Sequence, residues 1–61
     1  MGHSAKSQAE ILVGNLETQA EKMLEQVLIL RESGLASISD QLVVQHERLL
    51  GVIAMLRGLN I

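Results

Sequence analysis

The stretch Val27-Leu28-Ile29-Leu30-Arg31-Glu32-Ser33-Gly34-Leu35-Ala36-Ser37-Ile38-Ser39-Asp40 decides the fold. It leaves an apolar run through Ser33-Gly34 and enters a serine cluster with an acid behind it. Glycine closes a helix C-terminus cheaply because it takes the left-handed conformation without a Cβ clash. With Gly34 just past the cap, Leu35 falls where a Schellman motif packs an apolar side chain back onto Leu30. Arg31 near that end complements the helix dipole. Ser37 with Asp40, or Ser39 alone, can cap a second helix. With Ser39 as the cap, Ile38 and Val43 occupy the two positions of a hydrophobic staple. The stretch therefore reads as helix, tight turn, helix.

Upstream, Ser7-Gln8-Ala9-Glu10 has the form of a capping box, in which the Ser7 hydroxyl and the Glu10 carboxylate satisfy backbone N–H groups reciprocally. From there Ala9, Val13, Leu16, Ala20, Met23, Val27 and Leu30 alternate in steps of four and three. That heptad spacing keeps one stripe facing a partner helix. Gly14 is the weak helix former inside it, at about 1 kcal/mol relative to Ala. Downstream, Leu42, His46, Leu49, Ile53, Leu56 and Asn60 step the same way, with Gly51 and Gly58 one heptad apart on the same helix. The expectation is an all-α antiparallel hairpin over residues 7–61, with helix 1 at about 8–33, the turn at about 34–38 and helix 2 at about 39–60. Residues 1–6 read as a disordered or tag-derived N-terminus. The Met1-Gly2-His3-Ser4 start and the abrupt apolar end at Ile61 read as the ends of a piece excised from a larger protein.

Composition removes several function classes. The chain of 61 residues has no Cys, Pro, Trp, Tyr or Phe. A disulfide framework, a cysteine zinc site, a thiol nucleophile and an aromatic base-stacking platform are all excluded. The formal net charge of −2 makes nucleic acid an unfavourable partner. A small helical nucleic-acid-binding regulator would have to build its basic face from Lys6, Lys22, Arg31, Arg48 and Arg57 alone. The apolar run Leu49 to Leu56 is far shorter than the roughly 20 residues a bilayer span needs, so no membrane role is expected. No signal peptide is visible, and the cytoplasm is the simplest compartment, with the nucleus left open.

The informative feature is the apolar surface left outside the two seams. Helix 1 still carries Ile11, Leu12, Leu24, Leu28 and Ile29. Helix 2 still carries Val43, Val44, Leu50, Val52, Met55 and Leu59. A helix apolar on most sides needs neighbours on most sides. Two hairpins paired as a four-helix bundle would enclose a second face, each further buried Leu, Ile or Val contributing on the order of 1.5–3 kcal/mol. The sequence thus points to an oligomerisation or protein-interaction module that homodimerises. Its core and interface would be Val13, Leu16, Met23, Val27, Leu30, Leu42, His46, Leu49, Ile53 and Leu56. The alternative is a scaffold that captures another protein's amphipathic helix. Charges such as Glu10, Glu17, Glu21, Glu25 and Glu32 avoid the first seam and read as a solvated outer face. Arg48 and Arg57 opposite them could select the antiparallel register.

No nucleophile, base and orienting group form a set, and the serines sit where capping explains them. No enzymatic activity, cofactor or metal site is expected. His46, followed by Glu47, resembles the phosphoacceptor helix of sensor histidine kinases over about five residues. The resemblance implies phosphotransfer at His46. It departs from that family in placing the histidine on the second helix and in lacking the following proline. The plainer reading makes His46 a hydrogen-bonded histidine in the core or at its edge, with Gln41, Gln45 or a polar group of helix 1 as a partner. Together with Asn60, it would then fix helix register. Gly51, Ala54 and Gly58 could let two helices approach closely.

Overall fold

The computed structural model of the chain describes residues 5–58. It contains two helices, α1 (Ala5–Glu32) and α2 (Ala36–Gly58), packed against each other as an antiparallel hairpin. The connection is a Schellman turn. Gly34 has φ of 80°, its N–H donates to the Arg31 carbonyl at 3.1 Å, and the Leu35 N–H donates to the Leu30 carbonyl at 2.9 Å. Two of the orphan carbonyls at the end of α1 are satisfied this way. The apolar contact expected of Leu35 is looser than the backbone pattern, because that side chain stays exposed.

The starts of both helices differ from the local capping signals. Helix α1 already includes Ala5 and Lys6, so Ser7 and Glu10 lie within it rather than across its boundary. Ala and Lys are good helix formers, and extending the helix through them costs little. Residues 5 and 6 therefore belong to the hairpin rather than to a disordered leader. Helix α2 starts at Ala36, directly after the turn, not at residue 39. The Ser39 N–H donates to the Leu35 carbonyl at 3.0 Å, so Ser39 stands a full turn inside the helix and does not cap it. The proposed staple of Ile38 and Val43 loses its cap for the same reason, and Ile38 is exposed. Positions 59 and 60 of the expected second helix lie outside the described residues.

The resulting body is a rod one helix layer thick. Its principal extents are 51 × 18 × 9 Å and its radius of gyration is 14.7 Å. A compact globule of this length would have a radius of gyration of about 10.5 Å. Two helices side by side bury one stripe each and leave both broad faces of the layer in solvent.

The turn and the helix interior make opposite demands on glycine. A side chain at Gly34 would have to adopt a positive φ, which costs roughly 1–2 kcal/mol. A Cβ on Gly14 meets nothing within 4 Å, and alanine there gains about 1 kcal/mol of helix propensity. At one fixed protein concentration, Gly34→Ala should lower the thermal midpoint by several degrees and Gly14→Ala should raise it. Circular dichroism melts check both, and equal effects of the two changes would contradict the turn geometry.

Candidate functional site

The seam between the helices holds every described residue of the two heptad patterns. Val13, Ala20, Val27 and Ile53 are buried. Leu16, Met23, Leu30, Leu42, His46, Leu49 and Leu56 are half-buried beside them. Towards the open end of the hairpin, Val13, Ala20 and Ile53 form one cluster with Leu16, Leu49 and Leu56 against it. Near the turn, Val27 is 2% exposed and Ser39 is 0% exposed.

Ser39 is the residue that local sequence signals misplace. Its hydroxyl donates to the Val27 carbonyl oxygen at 3.3 Å and accepts from Arg31 Nε at 3.1 Å. A buried hydroxyl costs free energy unless its bonds are made, and here both its donor and an acceptor site are used. The seam contained the clue. Ser39 stands one heptad before His46 and two before Ile53, so continuing that stripe backwards reaches it. The hydroxyl pins the first turn of α2 to the last turns of α1, and Arg31 is drawn into that contact as well as lying near the helix end.

The other polar groups at the seam are more open. His46 is half-buried, and no buried side-chain nitrogen or oxygen among the described residues lacks a partner. Its expected bonds to Gln41 or Gln45 do not form, so its ring nitrogens reach solvent. Asn60, the other polar seam position, lies outside the described residues. Arg57 pairs with Glu17 across the hairpin near its open end. Both side chains are well exposed, so the pair contributes at most about 1 kcal/mol. Of the two arginines expected to face the acidic helix, Arg57 makes this contact and Arg48 forms no ion pair among the described residues.

The apolar side chains outside the seam divide between the two broad faces of the rod. On one face Glu17, Glu21, Leu24 and Leu28 of α1 follow one another at helical spacing, and Val43, Leu50, Ala54 and Arg57 do the same on α2. Here a groove of about 390 Å³ opens between the helices, lined by Glu17, Ala20, Glu21, Leu50, Ile53, Ala54 and Arg57. The small side chains of Ala20 and Ala54 are what let it reach down to Ile53. On the other face the residues just before the buried seam positions are Leu12, Gln19 and Gln26 on α1, and Ile38, Gln45 and Val52 on α2. Leu24, Leu28, Leu50 and Val52 are all about half exposed, Ile29 is 61% exposed and Met55 is 73% exposed.

Added side chains at Gly51 and Gly58 would meet nothing within 4 Å, so these glycines do not serve close approach inside the hairpin. No group of three or more His, Cys, Asp or Glu that could hold a metal occurs among the described residues. Among them, too, no helix is long and apolar enough to cross a membrane. No family model matches the chain, and no curated protein or solved structure matches it.

The two serines in the first turn of α2 should separate cleanly under mutation. Ser39→Ala removes a buried hydroxyl with two partners and should destabilise by about 1 kcal/mol. Ser37→Ala, at an exposed position, should change stability by no more than about 0.5 kcal/mol. Urea unfolding of the two variants measures the difference. A larger loss at Ser37 would restore the capping role and remove the buried contact from the account.

Proposed function

We propose that the chain is an oligomerisation module whose working form is a homodimer, two hairpins stacked as a four-helix bundle. A single observation carries this reading. The chain exposes 4769 Å², whereas a compact protein of its 6.7 kDa mass would expose about 3,900 Å². The excess, roughly 900 Å², is close to the ~800 Å² that each partner contributes to a standard protein interface. Stable domains are built from at least two packed layers, and this chain supplies one. A second copy supplies the other with the same apolar residues and no additional gene product.

The role is one of assembly, and any chemistry belongs to whatever the module joins. The half-buried His46 then serves as a polar position on the seam, open enough for water to satisfy its ring.

Folding coupled to dimerisation makes stability depend on concentration. Each tenfold dilution should remove about 1.4 kcal/mol and lower the thermal midpoint by several degrees. Melts followed by circular dichroism from millimolar to micromolar chain read this directly. A midpoint that does not move, with helicity intact at every dilution, would remove the reading. The groove would then be left as a dock for another protein's amphipathic helix.

A further inference from the structure

We propose that the second copy covers the groove face rather than the opposite one, and that it lies antiparallel to the first. The two-fold axis lies in the interface and crosses the rod near its middle. Leu24 and Leu28 of each copy then fill the groove of the other. This inference rests on the self-association reading above and adds to it the face, the direction and the residues.

The groove face carries both halves of a self-complementary contact. Leu24 lies seven residues after Glu17, and Leu28 lies seven after Glu21, so both leucines share the face that the groove-lining glutamates mark. They stand nearer the turn, and the groove between Ala20, Leu50 and Ala54 stands nearer the open end. Projection and hollow are about 10 Å apart along the helix axis, from a separation of about seven residues at 1.5 Å each. A two-fold axis crossing the rod midway between them places each copy's leucines over the other's hollow. That midpoint lies near residues 22 and 23, on the turn side of the centre of α1, so the rods overlap over most of their length and the first turns of α1 project beyond the partner. A groove of about 390 Å³ has room for both leucine side chains.

Charge fits the same arrangement. On α1 of this face Glu10 and Glu17 lie one heptad apart at the open end, where Arg57 of α2 pairs with Glu17, and Arg31 stands at the turn end. Reversal of direction brings the partner's Arg31 to the level of Glu10 and Glu17. A stack in the same direction would instead bring both Arg31 side chains to one level and leave both grooves empty. On the opposite face Gln19, Gln26 and Gln45 interrupt the apolar residues one heptad at a time.

The chain has no cysteine, which permits a direct test. Leu28 and Ala54 are both exposed in the hairpin, so Leu28→Cys and Ala54→Cys leave its seam intact. Equal amounts of the two single variants are mixed and treated with a short thiol-to-thiol cross-linker. The antiparallel stack yields the mixed product, and Leu28→Cys treated alone yields little. Strong linking of Leu28→Cys to itself would mean same-direction stacking and would overturn the arrangement. As a second measurement, Leu24→Gln with Leu28→Gln should weaken dimerisation by about 100-fold or more in sedimentation. Leu12→Gln with Val52→Gln should change it less than about threefold. The reverse outcome would put the interface on the other face while leaving self-association in place. A wild-type chain that sediments as a monomer throughout would instead overturn the self-association reading itself.

Discussion

An α-helix in a two-helix layer can turn only one stripe towards its neighbour, and the rest of this molecule follows from that limit. The stripes are complete, running from Ala9 to Leu30 on α1 and from Ser39 to Leu56 on α2. Among the described residues, most of the large apolar side chains beyond them stay exposed. Leucine, isoleucine and valine recur outside the stripes at positions a solitary hairpin would fill with charge. Half of the charged residues are glutamates, and five of those six lie on α1, while Asp40, Glu47, Arg48 and Arg57 lie on α2. A layer 9 Å thick with apolar side chains on both broad faces supplies one of the two packed layers from which stable domains are built.

The hairpin is fastened unevenly along its length. At the turn, the Schellman bonds, the fully buried Ser39 hydroxyl and Val27 fix the two helices to each other with little freedom. At the open end the fastening is an exposed ion pair between Glu17 and Arg57 and a cluster whose centre on α1 is an alanine. Ala20 fills little volume, and Ala54 beside it fills no more, so the open half of the rod holds a hollow where the turn half holds a projection. Packing at native density leaves few such hollows in a finished core.

Much of this was legible in the sequence, and the misses have a common cause. The alternating four-and-three spacing identified the described seam residues apart from Ser39, because a helix shields positions by register and register is written in the spacing. Gly34 was legible as the turn because only glycine enters a positive φ without strain. The starts of the helices were not legible, since Ser7 and Ser39 each satisfy a local capping pattern that the tertiary arrangement overrides. Ser39 could serve either as a cap or as a small polar seam residue. The second use prevails because the chain turns in three residues and places it opposite Val27. The groove was hidden for a different reason. It arises from two alanines on different helices, and their juxtaposition depends on the offset between the helices, which heptad spacing alone does not set.

The measurement closest to the central claim is the solution mass of the unaltered chain by light scattering, taken across a wide concentration range with helicity recorded on the same samples. The account predicts twice the 6.7 kDa chain mass wherever the chain is fully helical, with mass and helicity falling together on dilution. A chain that keeps its full helicity at a mass of 6.7 kDa across the whole range would contradict it.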